Sequence, residues 1–174
     1  MSINKIVAVS GGFDPLHVGH IRYLKAAWQI AQDNQAQLWV ILNTDEWLTN
    51  KGMGHPFFNY DDRYEILMSL KYVDCVVPQI GISDSVADSL EIYRPIIFAK
   101  GGDRTVDTLP DEEKEMCNKH GIRIITGVGG LDKPDSSRDV IARIQNPIVR
   151  QCSYCGAINE PCKEGCTWGG LKNA

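Results

Sequence analysis

The stretch Ser10-Gly11-Gly12-Phe13-Asp14-Pro15-Leu16-His17-Val18-Gly19-His20 decides how this chain folds. It follows the apolar run Ile6–Val9, which is typical of a buried strand, and it precedes residues 21–32, where apolar side chains recur at helical spacing. Asp14 suits an N-cap and Pro15 suits the first helical position. The sequence therefore predicts a strand, a tight turn and a helix that begins at Asp14.

The side chains of this stretch predict phosphate chemistry. Gly11 and Gly12 allow a ligand to approach the backbone, and the N–H groups at a helix start attract anions. His17 and His20 are three residues apart, so they lie side by side on the first turn, where two imidazoles suit the charge that develops on a phosphoryl group. A Gly-Gly turn or a single histidine is ordinary by itself. Their combination between a strand and a helix indicates a phosphate site.

Length and composition limit the class of protein. The 174 residues allow one domain with a small appendage, and 43% hydrophobic with 23% charged residues is ordinary for a globular protein. A net charge of −4 gives no general attraction to nucleic acid or to an anionic membrane. The sequence shows neither the start of a signal peptide nor an apolar run of about 18 residues. We therefore expect a cytoplasmic protein without nucleic-acid or membrane partners.

Strand-like runs alternate with helix-like segments along the rest of the chain. The further strands are predicted at residues 37–43, 73–77, 95–99 and 122–125, and the further helices at 60–70, 83–93, 111–119 and 136–144. This alternation favours a Rossmann-like, doubly wound α/β fold with a parallel five-stranded sheet. The turns at Gly11-Gly12, Asn43-Thr44 and Lys100-Gly101-Gly102 each follow a strand, so we expect them to meet where such sheets bind ligands.

The HVGH sequence at residues 17–20 and the motifs after it resemble the cytidylyltransferase-like branch of the HxGH nucleotidyltransferase superfamily, over residues 3–145. That branch includes glycerol-3-phosphate cytidylyltransferases and the adenylyltransferase part of ADP-heptose synthases. The resemblance implies that a nucleoside monophosphate passes from a nucleoside triphosphate to a phosphorylated small-molecule acceptor, with release of pyrophosphate. It also implies that His17 and His20 contact the phosphates, that Mg²⁺ bridges those phosphates, and that the protein is a homodimer.

The same resemblance assigns further site residues. Lys51 corresponds to a catalytic, substrate-binding lysine, and Arg63 either reaches the substrate or anchors its own helix. Ser137 belongs to a serine pair that opens the last helix and binds phosphates, and we count it among the catalytic residues. The nucleotide-binding residues implied are Gly11, Gly12, Phe13, Asp14, Lys100, Gly101, Gly102, Asp103, Ser136 and Arg138.

The sequence leaves the base of the nucleotide open. Cytidylyltransferases carry an Arg-Thr-Glu-Gly run before the serine pair, whereas residues 126–134 here are longer and Gly-rich. CTP is the predicted donor and ATP is the alternative. Two other classes compete with an enzyme: a nucleotide-binding regulator that uses its tail to contact a partner, and a nucleic-acid-binding protein. The intact site motifs argue against the first, and the acidic net charge argues against the second.

Four cysteines in the tail, spaced Cys152-x2-Cys155-x6-Cys162-x3-Cys166, predict a structural zinc site. The predicted domains are a nucleotidyltransferase domain at 1–145 and a linker with this zinc module at 146–174. Two disulfides or four free thiols are the alternatives, and disulfides are disfavoured without a secretory signal. Because so short a tail has almost no core, the metal would supply its folding energy. We expect a structural or interaction module.

Protein purified under reducing conditions should therefore contain about one zinc ion per chain, measured by elemental mass spectrometry. The double substitution of Cys152→Ser and Cys155→Ser should abolish zinc binding, because two ligands cannot hold the ion. Cys75→Ser, in a predicted strand, is the matched control and should keep the metal. Wild-type protein without zinc would contradict the assignment.

Overall fold

Within the residues that the computed structural model describes (5–53, 55–81, 84–102, 104–130, 137 and 140–142), five parallel strands form one sheet in the order β3-β2-β1-β4-β5. The strands are β1 (Ile6–Gly11), β2 (Gln37–Leu42), β3 (Cys75–Pro78), β4 (Ile97–Gly101) and β5 (Arg123–Val128). This order confirms the predicted Rossmann-like sheet. The strand order reverses between β1 and β4, which is the point where such sheets bind ligands.

Helices cover both faces of the sheet. They are α1 (Val18–Asp33), α2 (Asp45–Leu48), α3 (Tyr60–Met68), α4 (Ala87–Tyr93) and α5 (Asp111–His120). One buried cluster contains side chains of α1 and α3, and the other contains side chains of α4 and α5. Alternate residues of β1 enter opposite clusters, since Val7 and Val9 belong to the first and Ala8 to the second. The sheet is therefore doubly wound, and no helix among the described residues is long and apolar enough to cross a membrane.

The chain divides into two units, Met1–Val140 and Ile141–Ala174. The fold and the site described below belong to the first unit. Of the second unit, the structure describes residues 141 and 142. The four cysteines of the predicted zinc site lie outside the described residues, so the zinc site stays a prediction.

The first helix begins later than the sequence predicts. Its N-cap is His17 rather than Asp14. The Asp14 carboxylate accepts hydrogen bonds from the backbone N–H groups of Phe57 and Phe58, at 2.6 and 2.9 Å. Asp14 therefore fastens the segment before α3 to the turn after β1, and its oxygens are not available to cap α1.

A short helix that was not among the predicted elements follows β2. Thr44 Oγ1 accepts a hydrogen bond from the Trp47 N–H at 3.2 Å and so caps α2, which continues into a π-helical turn at Thr49–Met53. Leu48 is buried against Gly12, where an added Cβ would lie 2.6 Å from the Leu48 side chain. Gly12 is thus required by the packing of α2 on the turn after β1.

Arg63 anchors the strand ends, which agrees with the second of the two roles that the sequence left open for it. Its side chain is 0% exposed and forms an ion pair of 2.6 Å with Asp45. Nη1 donates to the carbonyl oxygens of Gly12 and Asn43 at 2.7 and 2.9 Å, and Nε donates to the carbonyl oxygen of Phe58 at 3.1 Å. Protein acceptors therefore engage the guanidinium, which connects the ends of β1 and β2 with the starts of α2 and α3.

The fifth helix has a buried face. The helix predicted at residues 111–119 is present, and Gly121 ends it with a φ of 65°. However, Glu113 and Cys117 are buried, with exposed fractions of 3% and 0%. They are four residues apart, which is the helical spacing of one inward face.

Arg63→Ala should lower the free energy of unfolding by about 3 kcal/mol, because it leaves Asp45 and buried carbonyl oxygens without their donor. Urea denaturation followed by circular dichroism measures this change. Arg123→Ala is the matched control, since Arg123 is exposed at the start of β5, and it should change stability by less than about 0.5 kcal/mol. Equal effects of the two substitutions would contradict the anchoring role.

Candidate active site

A cavity of about 590 Å³ lies over the carboxyl ends of the strands. Its lining includes the Gly11-Gly12 turn after β1, Asn43 after β2 and Lys100–Gly102 at the end of β4. The predicted convergence of these three turns is therefore confirmed. Because α1 begins beside the central strand, its two histidines also line the cavity.

The two histidines of α1 are oriented by hydrogen bonds to the helix start. His17 Nδ1 accepts from the Gly19 N–H at 3.1 Å, and His20 Nδ1 accepts from the His17 N–H at 3.4 Å. The two rings stack with their centroids 3.7 Å apart and their planes at 28°. Since each Nδ1 acts as an acceptor, the proton of each neutral ring is assigned to Nε2. The helix cap thereby gives the site two Nε2–H donors.

The environment of His20 disfavours its charged form. Burial, assisted by the neighbouring His17, lowers the pKa of His20 from its ordinary 6.5 to about 3. His20 is therefore uncharged near neutral pH. The positive charge that an anionic ligand needs comes from other side chains that line the cavity, which are Arg22, Lys51, Lys100 and Arg104.

Lys100 lies in a buried polar group at the end of β4. Its Nζ is 3.2 Å from Ser10 Oγ and 3.2 Å from Glu113 Oε2. The other oxygen of Glu113 accepts from the Val86 N–H at 3.3 Å. Burial lowers the pKa of Lys100, and the Glu113 carboxylate opposes that shift. The sequence predicted Lys100 but missed Glu113; its inward spacing with Cys117 was the available signal.

Tyr23 positions the glycine turns after β4 and β5. Its hydroxyl donates to the Ala99 carbonyl oxygen at 2.7 Å. An added Cβ on Gly101 would lie 2.7 Å from the Tyr23 ring, and one on Gly129 would lie 2.8 Å from the Tyr23 Cα. Both turns therefore need glycine to pack against α1. Tyr23 was not among the predicted site residues, although it follows His20 by three positions on the same helix face.

The β2 side of the cavity carries three polar or aromatic side chains. Lys51 Nζ is 3.2 Å from Asp84 Oδ2 and 5.2 Å from the centre of the Trp47 ring. Trp47 Nε1 is buried and has no hydrogen-bond acceptor among the described residues. Only Lys51 of these three was predicted from the sequence.

The structure describes some of the other predicted site residues but not all of them. Phe13 is buried with a φ of 51°, and its ring centre is 5.0 Å from that of His20. Ser137 lines the cavity and its Oγ donates to the Pro15 carbonyl oxygen at 3.3 Å. Three predicted nucleotide-binding residues lie outside the described residues: Asp103, Ser136 and Arg138.

The acidic side chains of the cavity already have protein partners. Backbone N–H groups occupy both oxygens of Asp14, and Glu113 and Asp84 are paired with lysines. In the described part of the chain, no group of three or more His, Cys, Asp or Glu side chains could hold a metal ion. The magnesium ion that the resemblance implies would therefore be held by the nucleotide, since Mg²⁺ typically keeps its waters and binds substrate phosphates.

Comparison with known proteins identifies the family. A family model described as cytidylyltransferase-like matches residues 8–141. The chain belongs to the cytidylyltransferase-like family. The match includes the turn after β1, both histidines and the strands that form the cavity, and it confirms the resemblance seen in the sequence.

Individual relatives support the same family. A D-beta-D-heptose 1-phosphate adenylyltransferase of Bordetella bronchiseptica is 37% identical over 108 residues, which are 61% of this chain and 63% of the relative. The bifunctional protein HldE of Azotobacter vinelandii is 32% identical over 142 residues, which are 81% of this chain and 28% of the relative. The chain thus spans less than a third of the bifunctional relative's length.

A solved structure shows the same fold. It is the lipopolysaccharide core biosynthesis protein of Thermoplasma volcanium, with a TM-score of 0.58 and 28% sequence identity. The similarity covers 74% of this chain and 98% of that protein. With a family that is described as cytidylyltransferase-like and a relative that is named an adenylyltransferase, this domain is a nucleotidyltransferase domain.

The low pKa of His20 predicts an acid-dependent loss of stability. Below about pH 6.5 the unfolded chain binds a proton at this position that the folded protein does not bind, so folding becomes less favourable as the pH falls toward 3. The expected slope is at most about 1.4 kcal/mol per pH unit. Urea denaturation from about pH 6.5 to about pH 4.5 should show a smaller slope for His20→Gln than for the wild type.

His55→Gln is the matched control, because His55 is an exposed histidine outside the cavity lining. It should keep the wild-type slope. If wild type and His20→Gln lose stability in parallel, the shifted pKa of His20 is wrong.

Proposed function

We propose that the protein transfers AMP from ATP to a phosphorylated sugar and releases pyrophosphate. This proposal rests mainly on the stacked pair of His17 and His20. The pair offers two N–H donors at the start of α1, beside the point where the strand order of the sheet reverses. Donors fixed before the reaction stabilise charge that develops on a phosphoryl group.

ATP replaces CTP as the favoured donor. From the sequence, CTP was the predicted donor and ATP the alternative. The relative from Bordetella bronchiseptica is named a heptose 1-phosphate adenylyltransferase, which supports the alternative. The same name supports a sugar phosphate as the acceptor. Residues 126–134 lack the Arg-Thr-Glu-Gly run that cytidylyltransferases carry, which agrees with this choice.

The proposed reaction requires no general base. An oxygen of the acceptor phosphate attacks the α-phosphorus of ATP, and the bond from that phosphorus to the oxygen bridging the α- and β-phosphates breaks. The electron pair of that bond leaves on pyrophosphate. Because the second pKa of a phosphate monoester is about 6, the attacking oxygen already carries negative charge near neutral pH. The chemistry therefore depends on positioning and on charge neutralisation.

Different cavity residues would provide the positioning and the charge neutralisation. The Nε2–H groups of His17 and His20 suit the oxygens of the α-phosphate, where negative charge accumulates in the transition state. Lys51 and Lys100 supply positive charge on the β2 and β4 sides of the cavity. Ser137 donates to the carbonyl oxygen of Pro15, two residues before the N-cap of α1, and so lies beside the segment that carries the histidines. A Mg²⁺ ion on the triphosphate would add further charge neutralisation.

Pyrophosphate release with Mg²⁺ tests the reaction. Turnover should be faster with ATP than with CTP when a sugar 1-phosphate is the acceptor. His17→Ala and His20→Ala should each lower kcat by about 10²–10³, as expected for the loss of one charge-stabilising donor. His55→Ala, which removes an exposed histidine, is the matched control and should leave kcat unchanged.

Three results would contradict parts of this proposal. A kcat within about tenfold of wild type in either cavity variant would remove the histidines from the mechanism. Faster turnover with CTP would restore the first prediction for the base. Nucleotide binding without release of pyrophosphate from any acceptor would favour a regulatory protein over an enzyme.

A further inference from the structure

The two sides of the cavity differ in what they offer a ligand. The side beyond β4 and β5 is lined by glycines, which are Gly101, Gly102, Gly129 and Gly130. The side beyond β2 is lined by the side chains of Trp47, Lys51 and Asp84. The histidine pair follows β1, the strand between these two sides. An in-line displacement needs the acceptor and the leaving pyrophosphate on opposite sides of the α-phosphorus, and a cavity with two sides meets that need.

The side chains beyond β2 match the parts of a phosphorylated sugar. Lys51 is a cation that suits a phosphate, yet it is paired with Asp84, whose carboxylate would repel one. A carboxylate beside a phosphate-binding lysine is favourable where the ligand also brings hydroxyl donors. The face of Trp47 is suited to the apolar C–H surface of a sugar ring, because an indole combines a large apolar surface with a single donor.

The Nε1 atom of Trp47 is buried and has no hydrogen-bond acceptor in the described part of the chain. An indole N–H usually finds a partner when it is buried, since leaving it unpaired is costly. Lys51 lies against the same indole, 5.2 Å from the ring centre. Movement of Lys51 from the indole to a ligand phosphate would open this side of the cavity and let a ligand oxygen reach the N–H.

We propose that Trp47, Lys51 and Asp84 form the subsite for the ring of a sugar 1-phosphate acceptor. Lys51 binds the phosphate, Asp84 accepts hydrogen bonds from ring hydroxyls, and Trp47 packs on the ring and donates its Nε1–H to a ligand oxygen. This inference rests on the proposed function, because it assigns the acceptor to one side of the same cavity. A small phosphorylated alcohol such as glycerol 3-phosphate would leave the indole uncovered and should bind more weakly.

A binding experiment tests the subsite without turnover. The chain has four tryptophans, and the indole N–H signal of Trp47 in a ¹⁵N-labelled sample is assigned by its loss in Trp47→Phe. Mannose 1-phosphate, added with Mg²⁺ and α,β-methylene-ATP, should shift this signal. The nucleotide analogue alone should leave it in place. A shift with the analogue alone would give this side of the cavity to the nucleotide, and no shift with the sugar phosphate would also overturn the subsite.

Kinetics give an independent readout. Asp84→Asn should raise KM for mannose 1-phosphate about tenfold, as expected for a charge-assisted hydrogen bond, and should leave KM for ATP within about twofold. Asp111→Asn, at an exposed carboxylate on α5, is the matched control. An equal rise of both KM values in Asp84→Asn would overturn the subsite.

The two experiments separate the subsite from the reaction. If mannose 1-phosphate shifts the Trp47 signal but no acceptor yields pyrophosphate, the proposed reaction fails while the subsite stands. If pyrophosphate is released and neither the Trp47 signal nor KM responds as stated, the reaction stands and the subsite is wrong.

Discussion

The guanidinium of Arg63 fixes the relative positions of the strand ends below the cavity. Parallel strands end with carbonyl groups that lack partners, and here two such ends, at Gly12 and Asn43, lie close to one another. Arg63 donates to both from a position with 0% side-chain exposure, and Asp45 neutralises its charge. A buried cation is tolerated only when it is paired and hydrogen bonded, so the ends of β1 and β2 must keep one geometry. The turn that precedes the histidines therefore begins at a backbone position that Arg63 fixes.

The histidines serve the fold and the proposed chemistry with different nitrogen atoms. Nδ1 of His17 and Nδ1 of His20 accept backbone N–H groups at the start of α1, which would otherwise lack partners. That use of Nδ1 assigns the proton of each neutral ring to Nε2, so Nε2–H is the group that can donate a hydrogen bond. Stacking at 3.7 Å and burial make a second positive charge costly, which keeps His20 neutral. His20 is thus fixed in protonation state before any ligand arrives.

Features that depend on neighbouring residues could be predicted from the sequence, whereas those that depend on distant partners could not. The apolar run of β1, the Gly121 helix end and the meeting of the strand-end turns follow from local pattern and from parallel topology. The helix start was misplaced because Asp14 bonds to Phe57 and Phe58, more than forty residues away. Arg63 could not be assigned from the sequence for the same reason, since three of its acceptors come from the strand ends and α2.

The charges of the cavity explain why its polar residues come in pairs. With His20 neutral, the proposed triphosphate would be balanced by lysines and arginines, yet a cluster of free cations would repel itself in a partly buried space. Glu113 beside Lys100 and Asp84 beside Lys51 relieve that repulsion while the site is without ligand. The two pairs differ in burial: the Glu113 side chain is 4% exposed and that of Asp84 is 75% exposed. Lys100 is therefore held in place by its partner, whereas Lys51 can leave Asp84 at low cost, as the proposed binding of an acceptor phosphate requires.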